Sequence, residues 1–70
     1  MKFLLIITMC SSIYKSCMPP VDVAPLYNSH YDCAYSGYTM SADIIKNLEE
    51  EQVNKDRIYI SFVCKEVGSL

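Results

Sequence analysis

The chain has 70 residues, of which 51% are hydrophobic and 20% are charged, and its formal net charge at neutral pH is −2. A chain this short forms at most one domain, and such domains usually need a disulfide, a metal or a partner to hold a fold. The six basic residues are scattered, so no cluster is available to neutralise nucleic-acid phosphates. The composition therefore predicts one small stabilised domain that does not bind nucleic acid.

The N-terminus has the features of an export segment. Lys2 precedes an apolar run, and the uncharged stretch over residues 3–14 is shorter than the roughly 20 residues of a membrane-spanning helix. A lysine followed by a short apolar run is typical of a signal peptide. We therefore predict that residues 1–16 are a signal peptide or an N-terminal membrane-targeting segment. The alternative is a buried N-terminal helix or strand.

Two cleavage sites fit this segment. Cleavage after Ser12 releases a secreted chain with three cysteines, one of them unpaired. Lipoprotein-type cleavage before Cys17 makes that residue a possible lipidation site and leaves Cys33 and Cys64 as an even pair, although Lys15 departs from the usual lipoprotein box. Secretion and lipid anchoring both stay open, with an uncleaved signal anchor as a third form.

All three prolines lie in residues 17–28, which predicts a Pro-containing tether between the export segment and the folded part. Valines alternate with an aspartate there, so a short edge strand near residues 20–24, ended by Pro25, is also consistent with the sequence.

A helix is predicted over about residues 31–51. Ser29 and Asp32 have the S-x-x-D spacing of a capping box, and Gly37 lies inside the helix at a cost of roughly 1 kcal/mol. In the alternative, residues 30–36 are extended and only 41–51 are helical. The residues that recur at helical spacing are Tyr27, Tyr31, Ala34, Tyr35, Tyr38, Ala42, Ile45 and Leu48.

A strand is predicted over residues 57–65, after a turn at 54–56. Its alternation places Cys64 on the apolar face. A helix from residue 33 to 51 is about 27 Å long and the strand is about 23 Å long, so folding one back on the other brings Cys33 beside Cys64. The shorter helix reaches the same pairing through a βαβ crossover. We therefore predict a disulfide-stapled α+β domain over residues 29–67.

The pattern from Tyr31 to Tyr38, Ser41, residues 53–55 and the segment from Ile58 to Cys64 resembles a family of small proteins encoded mainly by marine phages and bacteria. The resemblance covers roughly residues 31–66. It implies export and a Cys33–Cys64 disulfide, and it supplies no catalytic residues.

Neither metal binding nor catalysis is predicted. His30, Asp32 and the nearby cysteines are of the types that bind zinc, but H-x-D-C is not an established ligand spacing and exported cysteines usually pair with each other. No CxxC pair is present, and a domain this small has no room for a substrate pocket. We predict no cofactor. The tyrosines are more numerous than a small core can enclose, which makes them a candidate interface: Tyr27, Tyr31, Tyr35, Tyr38 and Tyr59.

We therefore expect a small exported protein, periplasmic or secreted, that binds or modulates a cell-envelope component without catalysis, with a phage-encoded protein as one form. Its partner is expected to be an envelope-associated protein, with membrane attachment through a signal or lipid anchor possible. An unpaired strand edge would allow a homo-oligomer. The alternatives are a small cysteine- and histidine-based redox or metal-binding protein, and a membrane-tethered small subunit of a larger assembly.

Overall fold

One antiparallel sheet with a long helix on one face makes up the computed structural model, which describes residues 1–68. This α+β architecture confirms the predicted fold class. The elements in chain order are β1 (Lys2–Ser11), β2 (Ser16–Cys17), β3 (Val21–Tyr27), α1 (His30–Asn47), α2 (Glu50–Asp56) and β4 (Ile58–Val67).

The N-terminal strand β1 lies at the centre of the sheet. β2 and β3 pair with one edge of β1 and β4 pairs with the other, and every pairing is antiparallel. The segment predicted to direct export is thus folded into the domain, as in the alternative of a buried N-terminal strand. The physical reason is that a short apolar run suits a strand with neighbours on both sides as well as it suits a signal peptide.

The core lies between α1 and the face of the sheet that carries the odd-numbered residues of β1. Leu5 and Ile7 are buried there, directly opposite Cys64 and Phe62 of β4. Cys33 of α1 completes the centre. The half-buried residues packed around this centre are Phe3, Val23, Tyr27, Met40, Ile44, Ile60, Phe62 and Cys64.

Residues 17–28 contain the whole of β3 and the last residue of β2. This confirms the edge strand considered near residues 20–24, and the segment is part of the sheet. β3 also extends to Tyr27, whereas the sequence predicted that Pro25 would end it. In the described part of the chain, β3 pairs with β1 alone and is an edge strand, where a proline without an N–H group is tolerated. The pairing shifts register between Phe3 and Leu5 of β1, which accommodates the proline-containing part of β3.

Helix α1 begins as predicted and ends earlier. The Oγ atom of Ser29 accepts a hydrogen bond of 3.1 Å from the backbone N–H of Asp32, which confirms the N-cap, and Gly37 lies inside the helix. α1 ends at Asn47, not near residue 51, and residues 50–56 form the separate helix α2.

The start of α2 has a simple electrostatic cause. Glu50 and Glu51 occupy its first turn, where the helix dipole favours negative charge, whereas one continuous helix would place them at its unfavourable C-terminal end. The turn predicted at residues 54–56 is therefore the last turn of α2. The chain leaves this helix at Arg57, whose backbone is left-handed with φ 52°.

Strand β4 runs from Ile58 to Val67, close to the predicted 57–65. Its alternation is also as predicted: Ile58, Ile60, Phe62 and Cys64 are half-buried, and the residues between them are exposed.

The close approach of α1 to β4 depends on Gly37. A Cβ atom at this position would overlap the ring of Phe62. We expect Gly37→Ala to lower the free energy of unfolding by about 1–3 kcal/mol, because the overlap forces core side chains out of their rotamers. This cost exceeds the gain of about 1 kcal/mol in helix propensity. Urea unfolding measures the difference.

Two control variants distinguish steric overlap with the Phe62 ring from the effect of helix propensity. Thr39→Ala, at an exposed position two residues along the same helix, raises propensity without meeting the ring. In a Phe62→Leu background, Gly37→Ala should lose most of its cost, because the ring is gone. An equal effect of Gly37→Ala in both backgrounds would contradict the argument.

Candidate functional site

The disulfide Cys33–Cys64 holds the site together. It joins the first turns of α1 to β4 with a Cα–Cα distance of 6.1 Å, and this confirms the predicted pairing. Cys33 is fully buried, and Cys64 lies opposite Leu5 at the centre of the sheet. The bond therefore fixes the N-terminal half of the helix above β4.

A second disulfide, Cys10–Cys17, links β1 to β2 across the hairpin. In this structure Cys17 is not available for the lipidation that the sequence left open as one alternative, because one sulfur cannot carry both a thioether and a disulfide. Assigning Cys10 to a cleaved segment hid this pairing. The even count of four cysteines was the signal for it. The two disulfides are consistent with an oxidising compartment.

The side chains that the zinc alternative would use as ligands are engaged in other contacts. Cys33 and Cys64 are bonded to each other, and the ring of His30 meets Phe3 edge to face at 5.7 Å. Within residues 1–68, no three His, Cys, Asp or Glu side chains are placed to hold a metal ion. In the same range, no helix has both the length and the apolar character to cross a membrane.

Three of the five predicted interface tyrosines lie together on α1. Tyr31, Tyr35 and Tyr38, here called the tyrosine stripe, are 75%, 64% and 72% exposed. The rings of Tyr31 and Tyr35 stack with centroids 6.4 Å apart, and Tyr38 meets Phe62 edge to face at 4.9 Å. The stripe is therefore an exposed aromatic surface held against β4 at one end.

The other two predicted tyrosines lie elsewhere. Tyr27 is half-buried against the core and takes no part in the exposed surface. Tyr59 is exposed on β4, opposite Cys10, and it borders a groove beside the free edge of that strand. An exposed tyrosine outside the prediction, Tyr14, lies in the turn between β1 and β2. The stripe is thus smaller and more localised than the predicted interface.

Beside the stripe, β4 presents an unpaired edge. Among residues 1–68, β4 pairs only with β1, so its other edge has no strand partner. From Ile58 to Cys64 this edge strand contains no charged residue and no proline, the two devices that commonly protect an edge from pairing. The sequence predicted a free strand edge but did not indicate that this edge belongs to β4.

A groove of about 490 Å³ runs between this edge and the C-terminal half of α1. Ala42 and Ile45 line it from the helix, and Ile58 and Ile60 line it from the strand. Lys46 adds a positive charge to the same groove. We call the tyrosine stripe, the groove and the free edge of β4 together the β4 surface.

No protein-family model, curated protein or solved structure matches the chain. The resemblance to small marine phage and bacterial proteins therefore stays a prediction, and function is argued from the β4 surface.

Proposed function

We propose that the protein is an exported, non-catalytic interaction protein that binds an extended segment of an envelope-associated protein partner along β4. The observation that carries the proposal is the edge of β4 beside the tyrosine stripe, which is unpaired within residues 1–68 and uncharged from Ile58 to Cys64. The two disulfides support a site of action in an oxidising compartment such as the periplasm.

When a partner adds a strand to a sheet edge, its backbone supplies affinity and its side chains supply specificity. An added strand gains main-chain hydrogen bonds along the edge, and alternate side chains enter neighbouring pockets. Here the groove lined by Ile45 and Ile58 would receive apolar side chains of the partner. The tyrosine stripe adds large and rigid contact area of the kind that is enriched at protein interfaces.

The opposite edge of the sheet is less suited to pairing. β3 contains Pro25 and pairs irregularly with β1, and both features hinder the addition of a strand. β4 is regular over its paired length. We therefore assign partner binding to β4.

A lysine on the free edge tests the proposal. Ser61 is exposed on β4, and we expect Ser61→Lys to weaken partner capture from envelope fractions by at least tenfold, because a charged side chain opposes edge pairing. Ala24→Lys, on the opposite edge strand, changes the net charge equally and should leave capture unchanged. Quantitative mass spectrometry of the captured proteins gives the comparison.

The tyrosine stripe allows a second matched pair of variants. Tyr31→Ser with Tyr35→Ser should lose the same partner, whereas Tyr14→Ser, an equally exposed tyrosine in a distant turn, should retain it.

Sedimentation of the purified protein shows whether a second copy occupies the same edge, since Ser61→Lys would then dissociate the dimer. A specific partner that all variants capture equally, with the protein itself monomeric, would overturn the assignment to β4.

A further inference from the structure

A second cavity lies on the other side of α1, between that helix and the strands β1 and β3. Its volume is about 500 Å³, within the range of small-molecule sites, and this corrects the expectation that a domain this small has no room for a pocket. Ile7 and Val23 of the sheet form its floor, Ile44 of α1 forms one wall, and Pro19 lies in the opposite wall. The lining is almost entirely apolar, so the cavity suits an apolar chain or ring.

Methionines give this lining its adaptability. Three of the four methionines of the chain, Met9, Met18 and Met40, border the cavity. Flexible thioether side chains adjust to ligands of different shape, which is why methionine is common at adaptable apolar binding surfaces. At the roughly 30 Å³ that a water-sized group occupies in a liquid, the volume of about 500 Å³ accommodates at most about 17 non-hydrogen atoms, which leaves room for a tail of about 10–15.

The polar groups of the cavity determine the head group that it would accept. Asp43 and Asn47 of α1 line it and are exposed to solvent. Asp43 is the only charged residue among the described residues of the lining, and Lys46 lines the groove on the β4 side instead. A negative carboxylate at the rim favours a cationic head group and disfavours a carboxylate.

We propose that this cavity binds a small amphiphile with an apolar tail of about 10–15 non-hydrogen atoms and a cationic head group. The tail occupies the space between Ile7, Val23 and Ile44, and the head group lies beside Asp43 at the rim. The cavity and the groove of the β4 surface contact different residues of α1 and share only Ile60 among their described lining residues, so this site is distinct from the proposed partner-binding surface.

Methionine methyl NMR tests the proposal directly. Decyltrimethylammonium, decanol and decanoate are titrated, each below its micelle concentration, into protein labelled at the methionine methyl groups. Decyltrimethylammonium should shift the Met9, Met18 and Met40 signals in a saturable manner and leave Met1 unchanged. Decanoate should bind at least threefold more weakly than decanol, because Asp43 repels it.

Two variants with matched controls separate the roles of charge and space. Asp43→Asn should reduce the affinity for decyltrimethylammonium about three- to fivefold, whereas Glu51→Gln, on α2, changes the net charge equally without effect. Val21 is an exposed residue of the lining, so Val21→Trp should fill the cavity and reduce affinity more than tenfold, while Ile13→Trp in the β1–β2 turn should not.

Folding of each variant is checked by the spectrum of the ligand-free protein. Absence of saturable shifts at Met9, Met18 and Met40 would overturn the site. Decanoate binding as tightly as decyltrimethylammonium would overturn the assigned head group. Because Ser61→Lys should leave these titrations unchanged, failure here is distinguishable from failure of the β4 proposal.

Discussion

Removal of residues 1–12 is expected to abolish folding. The deletion takes away the central strand, so β3 and β4 both lose the one strand with which they pair within residues 1–68. Leu5 and Ile7 leave the core, and each such loss alone typically costs about 2–5 kcal/mol. A domain of this length has a total stability of about 4–10 kcal/mol. The chain that starts at Ile13 should therefore show no cooperative unfolding by circular dichroism and no dispersed NMR spectrum.

Point variants on the two faces of β1 control for a general effect of altering the N-terminus. Leu5→Ala removes a fully buried side chain and should cost about 2–5 kcal/mol. Leu4→Ala, its neighbour on the sheet face away from α1, is only half-buried and should cost less than half as much. A folded chain starting at Ile13, or equal costs at the two leucines, would contradict the central role of β1.

The central position of β1 also constrains how the chain could be processed on export. Cleavage after Ser12 would release a chain without its central strand and without Cys10, the partner of Cys17. We therefore expect the folded product recovered from its compartment to retain Lys2–Ser11. Its intact mass should be lower than that of the reduced chain by two hydrogens for each of the two disulfides. A product starting at Ile13 would instead support a signal peptide that is removed.

The fold was predictable wherever local chemistry decides it. The N-cap at Ser29 and the alternation of β4 depend on neighbouring residues, and both were predicted. The apolar run of β1 was ambiguous because its composition fits two structures, and only its neighbours in the sheet distinguish them. The proline in β3 was similarly ambiguous, because an edge strand tolerates a residue that a central strand does not.

The site was predictable to a lesser degree. Helical spacing groups Tyr31, Tyr35 and Tyr38 on one face, and the structure confirms that these three lie together. Tyr27 precedes the helix and turns to the core, which the same spacing could not indicate. The free edge of β4 and the cavity beside Asp43 depend on strand order, and strand order follows from β1, the segment that sequence analysis placed outside the domain.

Replacement of Cys33 and Cys64 by alanine is expected to lower the free energy of unfolding by about 3–4 kcal/mol. The loop that this disulfide closes spans 31 residues of sequence separation, against 7 for Cys10–Cys17. A longer closed loop restricts the unfolded chain more, so the same replacement at Cys10 and Cys17 should cost only about 2–2.5 kcal/mol. Urea unfolding of both double variants under identical conditions gives the comparison.

Alanine is the appropriate replacement because Cys33 is fully buried, and a serine hydroxyl there would add an unrelated cost of burying a polar group. A loss of 3–4 kcal/mol is a large part of the roughly 4–10 kcal/mol available to a domain of this size. The Cys33–Cys64 variant should therefore unfold at a lower urea concentration and a lower temperature than the Cys10–Cys17 variant. If the short loop costs more than the long one, stability is set by local packing at the hairpin, and α1 is held on β4 by Gly37 and Phe62 rather than by the disulfide.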